Sequence, residues 1–349
     1  MTGAIFGTRI IAAPMAGGTS TSGFVQAVHR AGGVGFLAAG YKGVTAMEAE
    51  IHEVRSAGAR FGMNLFVPDR AQLNPPAPVR AALEDYRRSL VPDARRYGVS
   101  LPELRLDDDD EWQGKVDSLL ADPVEIVSFT FGLPKQAEVR AFKRAGSMVI
   151  ATVTSKAEAL LAVERGADVV AVQHGSAGAH SGAFLARGSA AASPAHRTTA
   201  ELVAEVRAAV GVPLVAAGGI MDSAGIDAVL AAGAAAAQLG TAFVRSDESG
   251  ARQLHKDALA SPVFTETRLT RAFTGRQARA LVNSFARDHE DAPEGYPAIH
   301  HLTAPIRAAA AAAGDAERLN LWAGTGWRQA AAAPVSAIMA RLLAGSELS

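Results

Sequence analysis

Eight short apolar runs punctuate the chain, at residues 9–13, 34–38, 60–66, 124–129, 148–153, 168–172, 213–217 and 235–239. Each is bounded by Gly, Pro or Asn and is apolar throughout instead of alternating, as expected of a strand buried on both faces. Longer amphipathic stretches lie between them, at 22–31, 46–57, 137–145, 156–165, 199–209 and 223–232. Gly32, Gly58, Gly146, Gly166, Gly211 and Gly233 stand where those helices should stop. Strand and helix in alternation predict an α/β protein with a parallel sheet, and eight repeats predict a closed (β/α)8 TIM barrel.

Two regions interrupt the repeat. The third connection, 67–123, is too long for one helix; it holds Pro75, Pro76 and Pro78, two helical stretches and the acidic run 107–111. It is expected to be an elaborated loop over the barrel mouth. The acidic run reads as a solvated turn, since its adjacent carboxylates cannot all face one ion and no His accompanies them. The second interruption, 246–301, is rich in Arg and His with no clean strand, and is expected to be a small cap subdomain after strand 8. The domain reading is therefore a barrel core over 1–245 carrying the insertion 67–123, a cap over 246–301, and C-terminal helices over 302–349 that complete the barrel. The Ala-rich stretch 308–313 reads as plain helix without chemistry.

Composition narrows the function. With 349 residues, 49% of them hydrophobic, one large core is affordable. Lys+Arg of 34 against Asp+Glu of 35 gives a net charge of -1, which favours neither nucleic acid nor an anionic membrane and leaves a small-molecule partner. The absence of cysteine excludes disulfides, thiolate metal sites and a cysteine nucleophile. No uncharged apolar stretch reaches the roughly 18 residues needed to span a bilayer, so the chain reads as a soluble cytoplasmic protein. Homodimerisation is left open.

In a barrel the chemistry sits at the C-terminal ends of the strands, so the residues after each run are the candidates. After the first run, Pro14, Met15, Ala16 and Gly17 form a segment of little bulk that a flat ring could approach. Asn64, at the end of the third, offers both a donor and an acceptor. After the seventh and eighth runs come Gly218-Gly219 and Gln238-Leu239-Gly240-Thr241, whose backbone amides form the expected phosphate cradle. In the sixth loop Gln173 can bond a heteroaromatic edge, Gly178 permits close approach, and His174 and His180 can move protons near neutral pH. A zinc site on the two His ranks below that reading, for want of a third ligand. No metal is expected.

These segments, together with 61–66, 127–134, Gly275-Arg276-Gln277-Ala278-Arg279, Tyr296-Pro297 and Leu321-Trp322-Ala323-Gly324, resemble the nitronate monooxygenase family, formerly the 2-nitropropane dioxygenases. The resemblance keeps motif order and spacing over about 10–326. It implies a barrel that binds FMN without a covalent link, with Asn64, Gln173, Gly178, Gly219 and Gln238 to Thr241 as matching contacts. It places His180 on the family's histidine beside the flavin, as base or substrate-orienting group. One departure matters: Thr130 stands where one large class of the family carries a His, leaving His174 as the imidazole that could replace it.

The expected function is FMN-dependent oxidation of an alkyl nitronate or similar small carbon acid using oxygen. Arg276 and Arg279 could attract an anionic substrate or the phosphate, or form surface ion pairs. The alternatives are an NAD(P)H-dependent FMN enoyl or quinone reductase on the same scaffold, and a non-catalytic flavin-binding protein.

Overall fold

The computed structural model describes residues 5–185 and 198–344. Among the described residues there are eleven strands: β1 (Ile10–Ala12), β2 (Val34–Ala38), β3 (Phe61–Phe66), β4 (Ile126–Thr130), β5 (Met148–Val153), β6 (Val169–Gln173), β7 (Ala179–His180), β8 (Leu214–Ala217), β9 (Ala236–Leu239), β10 (Thr267–Thr270) and β11 (Ala278–Leu281). Eight of them close a parallel barrel in the order β1-β2-β3-β4-β5-β6-β8-β9. Closure is made by β1 on β9, with Ile10 beside Ala237 and Ala12 beside Leu239.

The two faces of each strand serve different cores, because side chains alternate along a strand. Ile11, Val34, Phe36, Ile126, Ile150, Val169, Ala171, Val215 and Ala236 fill the barrel interior, with Phe6 beneath them. Their neighbours Ile10, Val127, Val149, Val170 and Leu214 pack outward against the helices. Gly62 has an inward position, where a Cβ would lie 2.3 Å from the Phe36 ring. Followed toward the C-terminal ends, the same inward parity changes from apolar to polar: Asn64, Ser128, Thr130, Thr152, Gln173 and Gln238. The interior therefore sits on an apolar plug and opens upward into a hydrogen-bonding floor.

The predicted barrel helices begin within two residues of their expected starts, and Gly166 caps its helix at φ +103. Gly211 is an exception: it is not among the positive-φ glycines, and the helix Thr199–Arg207 ends on Ala208. The C-terminal helix Val335–Leu343 packs Val335, Ile338, Met339 and Leu342 into the outward barrel core. Residues 345–349 of the C-terminal stretch lie outside the described residues.

Above the barrel mouth the insertion and the segment after β9 share one apolar core. Leu83, Tyr86 and Leu90 of the insertion pack with Phe273, Phe285, Ile299, Leu302 and Ile306. The segment 246–301 does contain strands, contrary to the sequence expectation. β10 and β11 pair antiparallel, and β11 pairs with β7, placing Ala278 beside His180. The acidic run is also more than a solvated turn. Asp108 meets His301 Nε2 at 2.7 Å, Asp110 accepts from the Tyr41 amide at 2.8 Å, and Glu111 accepts from the Val44 amide at 2.9 Å. Buried Lys115 adds an ion pair to Asp110 at 2.8 Å. These carboxylates join the insertion to the barrel and to the cap helix Ala298–Ala312.

Candidate active site

A cavity of about 530 Å³ opens at the C-terminal ends of the barrel strands. Its lining includes all thirteen residues that sequence reasoning assigned to a cofactor: Pro14, Met15, Ala16, Gly17, Asn64, Gln173, Gly178, Gly218, Gly219, Gln238, Leu239, Gly240 and Thr241. His180 lines it too. His174 does not; its Nδ1 accepts from the Ser176 amide at 3.2 Å and meets Ser176 Oγ at 2.8 Å.

The floor is a set of locked amides. Asn64 donates through Nδ2 to Ser128 Oγ at 2.8 Å and to Thr130 Oγ1 at 3.0 Å. Thr130 continues to Thr152 at 3.4 Å. Thr130, where the family resemblance led us to look for an imidazole, thus holds the floor. Gln173 is bound at both ends, donating to the His180 carbonyl at 3.0 Å and accepting from the Gly182 amide at 2.7 Å. Its role in this structure is to shape the loop that carries His180. Gln238 makes no side-chain hydrogen bond among the described residues, which leaves its amide to the cavity.

One wall is a backbone cradle. The amides of Gly178, Gly219, Gly240 and Thr241 donate to no protein acceptor among the described residues. A Cβ on Gly178 would lie 2.6 Å from the Gly324 nitrogen, and one on Gly219 would lie 2.6 Å from Ser176 Oγ, so side chains are excluded there. Gly324 closes over the cradle by donating to Thr241 Oγ1 at 3.0 Å. Unpaired backbone amides lining a cavity, two of them on glycines that admit no side chain, suit a phosphate group.

His180 is held by its strand pairing and by Thr274, whose hydroxyl meets Nε2 at 2.9 Å. Phe131, Tyr296 and Trp322 surround the ring at centroid distances of 5.6, 5.9 and 5.3 Å. Burial in this aromatic box, with the charges of Arg276 and Arg307 behind it, lowers its pKa to about 3. The imidazole is therefore neutral at physiological pH.

Sequence reasoning missed much of the opposite wall. Tyr41, Phe131, His255, His300, Arg307, Asn320 and Trp322 all line the cavity. Tyr41 at φ +67 and Phe131 at φ +76 hold left-handed backbone, an unfavourable conformation for aromatic residues that clusters at functional sites. No acidic side chain lines the cavity among the described residues. Arg276 and Arg279 form no surface ion pair among them either. Arg276 lies over the Phe131 ring at 4.0 Å and donates to the carbonyls of Ser181 and Ala183, while Arg279 donates to the Gly175 carbonyl at 2.9 Å. Both brace the loop that presents His180.

The buried imidazoles give the fold an acid-sensitive stability. His180 falls to about 3, His255 to about 4 by burial, and His300 well below its ordinary value by burial beside Arg307. Unfolded, each would titrate near 6.5, so the stability from keeping them neutral is full above that pH and is lost as pH falls toward 4. Asp110, raised to about 6 by burial, opposes this with one proton. Three imidazoles against one carboxyl leave about two protons, a slope of roughly 3 kcal/mol per pH unit. The urea midpoint should drop steeply between pH 6.5 and 4.5; a flat profile would mean that these rings titrate normally in the folded protein.

A closed (β/α)8 barrel with a ligand-sized cavity over its C-terminal strand ends has the architecture of the barrel enzymes. The nitronate monooxygenase family model matches residues 1–345, and the chain belongs to that family of oxidoreductases. A probable nitronate monooxygenase of Staphylococcus aureus strain MRSA252 is 34% identical over 343 residues, covering 96% of this chain and 93% of its own length. The crystal structure of nitroalkane oxidase from Streptomyces ansochromogenes superposes with a TM-score of 0.90 at 45% identity, over 97% of this chain and 96% of that one. FabK from Thermotoga maritima superposes at 0.73 with 26% identity, over 97% and 92%. No described helix is long and apolar enough to cross a membrane.

Proposed function

We propose that the protein oxidises a small alkyl nitronate, or a similar carbon-acid anion, using bound FMN and dioxygen. The carrying observation, made among the described residues, is the cradle of unpaired amides beside a cavity without carboxylates. The residues present fit a flavin mononucleotide. Gly178, Gly219, Gly240 and Thr241 would hold the phosphate, Pro14 to Gly17 would lie against the flat ring system, and Asn64 and Gln238 would meet its polar edge. When bound, FMN supplies the electron acceptor and the route to oxygen.

The remaining work falls to the chain. An imidazole with a pKa near 3 is a poor base at neutral pH, so His180 serves better to hydrogen-bond and orient an already ionised substrate than to deprotonate a neutral one. This favours a nitronate over its parent nitroalkane. The aromatic box and the cap above it exclude water from the reacting carbon.

The test is a visible spectrum of the purified protein, then anaerobic mixing with propionate 3-nitronate and, separately, with NADPH. We expect a flavin spectrum, bleaching by the nitronate, and oxygen uptake when air is admitted. Protein reconstituted with excess FMN that retains none refutes the cofactor assignment. Bleaching by NADPH alone, followed by turnover with an enoyl or quinone acceptor, would transfer the reading to the reductase alternative.

A further inference from the structure

The cap helix Ala298–Ala312 places His300, Ala304, Arg307 and Ala308 on the cavity wall. Spacings of four, seven and eight residues put them on one helix face, and the two alanines keep that face open beside the longer side chains. Arg307 is 8% exposed, yet among the described residues all its hydrogen bonds go to uncharged acceptors. They are Thr303 Oγ1 at 3.1 Å, Asn320 Oδ1 at 3.2 Å, the His300 carbonyl at 3.0 Å and His300 Nδ1 at 3.3 Å. A buried cation without a carboxylate partner is costly unless something negative comes to it.

The last of those contacts fixes a proton. Guanidinium has no lone pair to accept with, so Nδ1 of His300 must be the acceptor, and the neutral ring carries its hydrogen on Nε2. That N–H meets no acceptor among the described residues. The ring cannot easily turn away, because it lies flat on Tyr41 at 4.0 Å and an interplanar angle of 3°. Burial and the neighbouring Arg307 charge keep it in the neutral donor form.

We propose that His300 and Arg307 form the anion-binding pole of the cavity: the His300 Nε2–H donates to a negatively charged oxygen of the substrate, and the Arg307 charge stabilises it. The pole selects substrates in their ionised form and sets the end of the cavity at which the charged group lies. This assignment rests on the cavity being the site of the oxidation proposed above.

The experiment is calorimetric titration of the flavin-loaded protein with nitrate, a planar anion shaped like a nitronate group, and with neutral 2-nitropropane. Wild type should bind nitrate. His300→Phe keeps the ring stacked on Tyr41 but removes the N–H, and should weaken nitrate binding by about tenfold to a hundredfold with flavin content unchanged. His300→Gln, which presents an amide donor near the former Nε2, should return to within about threefold of wild type, whereas the shorter His300→Asn should not. Arg307→Met should lose at least as much as His300→Phe, and 2-nitropropane should not respond to any of these changes. The assignment is overturned by undetectable nitrate binding in wild type, by equal affinity in His300→Phe, or by a loss that 2-nitropropane shares. If His300→Phe does not fold, the Gln and Asn pair decides between the same outcomes. The two readings can fail separately. Nitrate binding through His300 without nitronate oxidation would sink the reaction and keep the pole, while oxidation with unchanged KM in His300→Phe and Arg307→Met would sink the pole and keep the reaction.

Discussion

Gly240→Glu is expected to yield a folded protein that retains less than a tenth of the wild-type flavin. Gly240 sits at φ -110, and a Cβ there would meet only Ala13 Cβ at 3.7 Å and Met15 Sδ at 3.8 Å, which are ordinary contacts. The backbone therefore accepts a side chain, unlike Gly178 and Gly219. What the variant adds is a carboxylate beside amides that would otherwise serve a phosphate. Two unit charges about 4 Å apart repel by about 4 kcal/mol at an effective dielectric of 20, roughly a thousandfold in affinity. Gly240→Gln separates charge from bulk and should keep several times more flavin. The checks are flavin absorbance per chain after desalting, and circular dichroism. Full flavin in Gly240→Glu would move the phosphate elsewhere, and equal loss in both variants would reduce the effect to sterics.

His180→Ala should cut turnover per bound flavin by roughly 10² to 10³, the usual cost of removing one preorganised hydrogen-bonding group from a closed site. Flavin content should change little, because the imidazole faces Thr274 and an aromatic box and is not among the groups proposed to hold the phosphate. His174→Ala is the companion. With Nδ1 engaged by Ser176 and the ring outside the cavity lining, its turnover should stay within about threefold of wild type. Flavin and turnover falling together in His180→Ala would make that residue a loop brace, and a collapse of turnover in His174→Ala alone would reverse the assignment of the two imidazoles.

The barrel was legible because parallel strands buried on both faces must be continuously apolar, a pattern little else produces over eight repeats. The glycines of the proposed cradle stood out for a related reason: backbone that must come close to a ligand tolerates only small residues, and the structure places Gly178, Gly218, Gly219 and Gly240 on the cavity wall. The cap did not stand out. Thr267–Thr270 and Ala278–Leu281 carry Arg268 and Arg279 and have no apolar run, and they are strands only because they pair with each other and with Ala179–His180. Such pairing is a tertiary property that local propensity does not report.

The helix Ala298–Ala312 was half seen. Pro305 interrupts the pattern that would have announced it, and only the alanines after the proline read as helix. Its cavity-lining face went unnoticed with it. The available signal was the recurrence of His300, Ala304, Arg307 and Ala308 at helical spacing, which pairs two long polar side chains with two small ones. The carboxylates of 107–111 were misread because an acidic run resembles a solvated turn until its partners are known, and Asp108 finds His301 193 positions away.

That long reach bears on the order in which a nascent chain can acquire its cofactor site. All eight barrel strands have been synthesised once Leu239 has been made, yet the wall from Leu319 to Gly324, including the Gly324 amide that closes over Thr241, comes well after them in the chain. Contacts of such high sequence separation form late because loop closure must come first. Synthesis therefore passes through a stage in which every barrel strand exists and the pocket is unfinished.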